Sequence, residues 1–381
     1  MAKQKTNLSI LLMDNLKRKF ILKTSYIFFI AFFILNLKSC SKDPCFCTPK
    51  GPILELPIRG ADLSSLKKVQ SFPNTFYNRI GIQKSPVDIL IDEGLNTARL
   101  RLWHSPSESY SGFESVKEEV QFLKSKGLKI WLSVHYSDSW ADPGQQNIPA
   151  AWQGLSFSAL KDSMLSYTKR IIREMNPDYF QIGNEINSGL LHPLGNISQN
   201  ESQFLDLLNA ASTGIREMNS ETKIILHFAG VKGSSWFFEK VKGIDYDYIG
   251  LSYYPWWHDV SISELDDSIS LLGNQYNREI VIAETAYPFT LGWNDWTNNI
   301  VGDSTQLLLP TFPATMDGQQ KFLDVLKTTL EYNSHSIGIS YWGGELIAFD
   351  GPESSTGSPW ENCALFDFNN YAVPAIQFLN Q

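Results

Sequence analysis

The sequence has no excess of basic charge: 32 Lys and Arg stand against 40 Asp and Glu, a net charge of −8. No basic face is available to neutralise phosphates, which argues against nucleic acid as a partner. A Walker loop and a dinucleotide glycine fingerprint are also missing, so nucleotide chemistry has no foothold. Cysteine is scarce, with 4 in 381 residues. Cys45 or Cys47 is free to bridge Cys363 in an oxidising compartment, with no essential role expected of the bridge. His135 and Asp138 have no further ligands at metal-site spacing, so no metal is expected there. The apolar run from Tyr26 to Leu35 is too short for a spanning helix. What the chain does have is aromatic rings, 13% of residues, including 11 Trp and 23 Phe. Most belong in a core, but exposed rings suit stacking on pyranose sugars.

Residues 1–39 read as a lipoprotein-type signal peptide outside the fold. Lys17-Arg18-Lys19 and Lys23 precede the apolar run, and Leu37-Lys38-Ser39-Cys40 follows it. A basic segment, a short apolar core and a small residue at the cut describe an export signal. The ending resembles a bacterial lipobox, with Cys40 as the lipidated residue. The long leader before the basic cluster points to Met13 as a start. Residues 40–55 form a linker, and 56–381 form one domain with no internal composition shift. The expected protein is exported, monomeric and tethered to a membrane by lipid. Ser41 after Cys40 fits the outer membrane or cell surface.

From residue 56 onward, strand and helix patterns alternate. The strands are expected at Pro57–Asp62, Thr97–Trp103, Lys129–His135, Tyr179–Ile182, Lys223–Phe228, Tyr248–Tyr253, Glu279–Glu284 and Ser336–Trp342. Helical patterns lie at Val87–Glu93, Ser115–Lys126, Phe157–Met175, Glu201–Met218, Ile262–Tyr276 and Asp317–Tyr332. Gly94, Gly127 and Asn176-Pro177 close the first three, as helix ends require. Strands separated by helices pair in parallel through crossovers. Eight such units describe an α/β fold, a single (β/α)8 TIM barrel with extended βα loops.

The strand ends are polar and aromatic on one side only, which is where such a barrel keeps its chemistry. Two of them end in glutamate: Glu185 after the fourth strand and Glu284 at the end of the seventh. Two carboxylates across a barrel mouth suffice to cleave a glycosidic bond, and their separation selects retention or inversion. Such a pair cannot ionise freely, so one serves as acid and the other stays charged. Asn184 is placed to bond a sugar hydroxyl. Arg99 and Arg101 alternate on one face of the second strand and compete to hold the nucleophile ionised. Asp62, at the end of the first strand, joins the same polar rim. Tyr253 or Tyr254 is placed to donate to the nucleophile. Trp342 is expected to floor the subsite for the reacting sugar. Trp140, Trp256 and Trp257 are candidate stacking platforms, and His135 a substrate contact or its support.

Taken in order, several runs carry a resemblance. They are Arg59-Gly60-Ala61-Asp62-Leu63-Ser64, Asn96-Thr97-Ala98-Arg99-Leu100-Arg101-Leu102-Trp103, and His135-Tyr136-Ser137-Asp138-Ser139-Trp140-Ala141-Asp142-Pro143. Gln181-Ile182-Gly183-Asn184-Glu185-Ile186, Gly250-Leu251-Ser252-Tyr253-Tyr254-Pro255, Glu284-Thr285-Ala286-Tyr287-Pro288 and Ala364-Leu365-Phe366-Asp367 follow. From Arg59 to the C-terminus the chain resembles the endo-β-1,4-galactanases of glycoside hydrolase family 53. That resemblance implies a retaining barrel with Glu185 as acid/base and Glu284 as nucleophile. The implied partner is β-1,4-galactan of pectic arabinogalactan, cut internally. A related barrel hydrolase acting on mannan, glucan or xylan is the alternative, and a non-catalytic glycan-binding lipoprotein a more distant one. Some relatives hold calcium in an Asp-x-Asp-x-His loop after the seventh strand. Here Leu291–Asn299 has no histidine and one aspartate, so no cofactor is expected, although Asp295 and Asp303 are hard oxygen ligands.

Overall fold

The computed structural model describes residues 52–381. The expectations placed on the signal, Met13, Cys40, Cys45 and Cys47 lie outside the described residues. Eight strands close into a barrel in chain order, every neighbouring pair parallel. They are β1 (Ile58–Asp62), β2 (Thr97–Leu102), β3 (Lys129–Val134), β4 (Tyr179–Ile182), β5 (Lys223–Ala229), β6 (Tyr248–Ser252), β7 (Glu279–Thr285) and β8 (Ser336–Tyr341). The ring closes where Ile58 to Ala61 pair with Gly338 to Tyr341. This is the expected (β/α)8 barrel, its strand limits shifted by no more than a single residue.

Each strand is buried on both faces because helices cover the outside and other strands fill the inside. Alternation sorts the side chains. Along β3, Ile130, Leu132 and Val134 pack outward under the helices, while Trp131 points inward with Ile58, Tyr179, Ile225, Val281, Ala283 and Ile337. That inner set is the apolar floor of the barrel. One step further toward the strand C-termini the inward positions become Arg99, Ser133, Gln181 and His227, and the interior turns polar.

The helices form where capping and periodicity agree. Phe157–Met175 starts at Ser156, whose hydroxyl accepts the Ala159 N–H, and ends at Asn176 in left-handed geometry. It buries Leu160, Met164, Ile171 and Ile172 at helical spacing, each contributing about 1.5–3 kcal/mol. Ile262–Tyr276 starts with a reciprocal Ser261–Glu264 capping box. Ser234–Val241, the helix after β5, had no counterpart in the sequence reading. Its 8 residues are too few for a helical period to register.

Candidate active site

Glu185 arrives at the mouth by a turn and Glu284 by a bulge. β4 stops at Gly183, whose φ of +74° is left-handed, and Glu185 itself has a φ of +46°. The chain thereby reverses over two residues and sends the Glu185 side chain back toward the axis. Glu284 follows Ala283, which already points inward, so strict alternation would send it out among the helices. Register irregularities between β6 and β7 and between β7 and β8 break the alternation at that point. A bulge re-aims a side chain in this way.

The two carboxylates end up close. One atom each of Glu185, His227 and Glu284 lie within 4.8 Å of one another. Their surroundings differ. Glu284 Oε1 accepts Arg99 Nη2 at 2.8 Å, and Oε2 accepts the Tyr254 hydroxyl at 3.1 Å. Glu185 Oε1 accepts only the neutral Ser252 hydroxyl, at 2.6 Å. Burial, and then the charge of Glu284, push the Glu185 carboxyl up to about 8. Burial lifts Glu284 as well, opposed by the Arg99 cation and the Tyr254 donor. A full cation favours the charged form more than a hydroxyl does. A proton shared by the pair therefore rests on Glu185, and Glu284 is the anion.

Arg99 is the hub beneath them. It is 2% exposed, and it binds Asp62 at 2.7 Å and Asn184 Oδ1 at 2.9 Å in addition to Glu284. Desolvation works against its charge, but Glu284 and Asp62 outweigh it and raise the guanidinium above its ordinary value. Asn184 is fixed in turn, its amide donating to the Ala141 carbonyl at 2.9 Å.

Above the pair opens a cleft of about 630 Å³, lined by Glu185, Glu284, Asn184, Tyr254, Trp140, Trp257, Trp342, Trp360, Asp142 and His258 among others. Trp342 and Trp360 have ring centroids 4.5 Å apart, and Trp140 stands 6.1 Å from Trp342. The polar pair is at the floor and the indoles form the walls.

Most of the remaining candidates do not line this cleft. The Tyr253 hydroxyl does not reach the Glu284 carboxylate: it donates to the Val260 carbonyl at 2.9 Å, in the outer core. Leu251 faces out and Ser252 in, so Tyr253 faces out again and Tyr254 in. Period two decides between the two tyrosines. Arg101 does not bind Glu284 either; Arg99 does. Arg101 lies one inward position higher, bonds Ser111 Oγ at 3.0 Å, and places its guanidinium 4.0 Å from the Trp140 ring centre. It braces the wall. Asp62 is committed to Arg99 and to the Ser64 N–H. His135 accepts the Trp103 indole N–H and the Ala141 N–H, which fixes the loop carrying Trp140. Trp256 is half-buried against the core beside Tyr254, whereas Trp257 reaches the cleft.

Some members were not read from sequence. Ser252 lies inside a motif quoted for other residues. Trp360 precedes the Ala364-Leu365-Phe366-Asp367 run with no spacing signal of its own. Glu345 is buried with Oε1 on the Ser65 N–H, and burial beside Asp62 pushes it up to about 8. Cys363, a bridging candidate in the sequence, is buried and has no disulfide partner among the described residues.

The residues considered for calcium are spent on backbone. Asp295 accepts the Thr297 and Ser358 N–H groups, and Asp303 accepts the Thr305 N–H within its own turn. Each caps its own turn. Around His227 both ring nitrogens already have partners, Glu185 N–H on Nδ1 and Ser252 on Nε2.

Comparison with known proteins gives one family. The sequence profile of glycosyl hydrolase family 53 matches residues 58–379. The arabinogalactan endo-β-1,4-galactanase of Cellvibrio japonicus is 33% identical over 343 residues, covering 84% of this chain and 89% of that protein. The endo-β-1,4-galactanase of Bacillus subtilis is 29% identical, with 84% of each chain covered. Among solved structures, the GH53 catalytic domain of Ignisphaera aggregans superposes with a TM-score of 0.80 at 33% identity, covering 87% of this chain and 97% of that one.

Proposed function

This chain belongs to glycosyl hydrolase family 53, and on that premise we propose that it is an endo-β-1,4-galactanase acting on arabinogalactan with retention of configuration. The observation that carries the mechanism is the approach of one carboxylate oxygen of Glu185 to within 4.8 Å of one of Glu284, which favours the shorter of two carboxyl spacings. Retaining enzymes keep their carboxyl groups about 5–5.5 Å apart, whereas inverting ones need roughly 6.5–9.5 Å to admit a water.

The asymmetry of the pair assigns the roles. Glu284, ionised by Arg99 and Tyr254, attacks the anomeric carbon and forms a covalent glycosyl-enzyme. Glu185 gives its proton to the leaving oxygen, then takes one from the water that releases the sugar. Asn184 presents its amide group beside the pair to a sugar hydroxyl, and Trp140, Trp342 and Trp360 offer faces for pyranose stacking. The pattern around Cys40 supports export and a lipid anchor, which would set the enzyme at a membrane surface facing polysaccharide.

The test is release of reducing ends from debranched β-1,4-galactan beside mannan, xylan and cellulose, with Glu284→Ala as control. We expect cleavage of galactan alone, with turnover in the variant reduced by at least about a thousandfold. Cleavage of another glycan in place of galactan would overturn the substrate, and near-normal turnover in Glu284→Ala would overturn the nucleophile.

A further inference from the structure

The proton on Glu185 has two oxygens to choose between, and the groups behind the residue discriminate. The chain runs Gln181 and the Glu185 backbone to His227, His227 to Ser252, and Ser252 to Glu185 Oε1. The Glu185 N–H lies 3.3 Å from His227 Nδ1, and a backbone N–H can only donate. The Gln181 amide nitrogen stands 3.0 Å from the same atom, shared with Ser133 Oγ, Gly183 O and Asn184 Oδ1. Nδ1 is therefore the acceptor. Asn184 Oδ1 also stands 3.2 Å from it, as a close neighbour already engaged by Arg99 and Gln181.

His227 is fully enclosed, and burial with Arg99 and His258 nearby keeps its ring far below the usual imidazole range, hence neutral. A neutral ring with Nδ1 accepting carries its one hydrogen on Nε2. That hydrogen points to Ser252 Oγ at 2.9 Å. With its oxygen accepting from His227, the Ser252 hydroxyl turns its own hydrogen to Glu185 Oε1 at 2.6 Å, a length proper to a hydroxyl on a carboxylate.

We propose that His227 and Ser252 are positioning residues that reserve Glu185 Oε1 as a permanent acceptor and so confine the catalytic proton to Oε2. The inference rests on Glu185 being the acid/base. A proton on Oε1 would meet the Ser252 hydrogen head-on, and Ser252 cannot turn away because His227 offers it only a donor. Oε2 has no hydrogen-bond partner among the described residues, and Glu185 lines the cleft. The proton leaves Oε2 for the leaving oxygen as the bond from that oxygen to the anomeric carbon breaks, its electron pair staying on the oxygen. The carboxylate left behind keeps the Ser252 bond, so the oxygen that accepts the proton from water in the second step is again Oε2. The relay supplies no proton; it fixes where one sits.

The same bond tempers acidity. The groups that face Glu185 are Glu284 on β7, Arg99 on β2, His227 on β5, Asp142 after β3, and Tyr254 and His258 after β6. Burial and Glu284 raise its carboxyl, and Ser252 is the hydrogen bond that lowers it. Removing that donor disfavours the charged form and moves the titration to higher pH.

The experiment compares pH profiles of kcat/KM on galactan for the wild type, Ser252→Ala, Ser252→Thr and His227→Asn, with Glu185→Gln as control. In Ser252→Ala the alkaline limb moves to higher pH and kcat falls about tenfold, the measure of one lost hydrogen bond. An aryl galactoside with a good leaving group loses less, because it needs less protonation. Ser252→Thr restores both values. His227→Asn, which frees the serine to rotate, shifts the limb in the same direction by less. An unmoved limb in Ser252→Ala and His227→Asn, with equal losses on both substrates, would mean a packing role and overturn the proposal. Wild-type turnover in Glu185→Gln would instead overturn the acid/base assignment beneath it.

Discussion

At the scale of residues, the site is a problem of burying charge. Arg99, Asp62 and Glu284 place one cation between two carboxylates in the barrel interior, each less than a tenth exposed. Removing one partner of such a set is worse than never having had it, because the charge left behind is neither solvated nor paired. Arg99→Met should therefore lower unfolding free energy by about 3–5 kcal/mol, read from urea midpoints at constant slope. It should also move the acid limb of kcat/KM to higher pH. In the proposed mechanism Glu284 must be ionised to attack, and without the guanidinium its carboxyl rises. A variant of normal stability with an unmoved acid limb would show that Arg99 is not what holds the nucleophile charged.

At the scale of elements, the ends of β4 and β7 do work that their bodies do not. β4 is an ordinary buried parallel strand to its last residue, whereas β7 is buried but shifts register against β8 at Ile280/Val281 and again beyond Ile282. At β4 the left-handed Gly183 is what lets Glu185 turn back. A methyl there would come within 2.4 Å of Ile186 Cγ2, in a backbone region that disfavours any side chain. Gly183→Ala should cost about 1–3 kcal/mol of stability and lower kcat more than it raises KM, because the acid is displaced while the Trp-lined walls persist. Thermal unfolding and steady-state kinetics together check this. A stable, fully active variant would mean that the turn tolerates a side chain and that Glu185 does not depend on it.

At the scale of the whole molecule, the buried acids make stability depend on pH. Glu185 and Glu345 both titrate near 8 in the folded chain against an ordinary 4.5. Between those values the native state binds protons that the unfolded chain has released, so stability falls as pH rises from about 4.5 to 8. The Tm of the protein should thus be higher near pH 5 than near pH 8, and Glu345→Gln should flatten the decline without touching the cleft. A Tm that rises across this window would contradict the burial of both groups as uncharged acids.

The sequence by itself determined the barrel and named the two glutamates that meet at its mouth. Local signals suffice for that: β-branched runs, helix caps and left-handed stops repeat at intervals, and polar residues gather at one end of each strand. It did not determine which neighbour serves which carboxylate. Arg99 and Arg101 share a face and differ only in depth, and depth is set by shear between strands far apart in the chain. Tyr253 and Tyr254 differ by one step of alternation, which a shift of one residue in the register would reverse. Glu284 points inward only because β7 breaks register against both neighbours. Ser252, His227 and Glu185 come from three successive strand ends and have no common period in the chain. The sequence names the groups through local geometry, and the closing of the ring decides which of them touch.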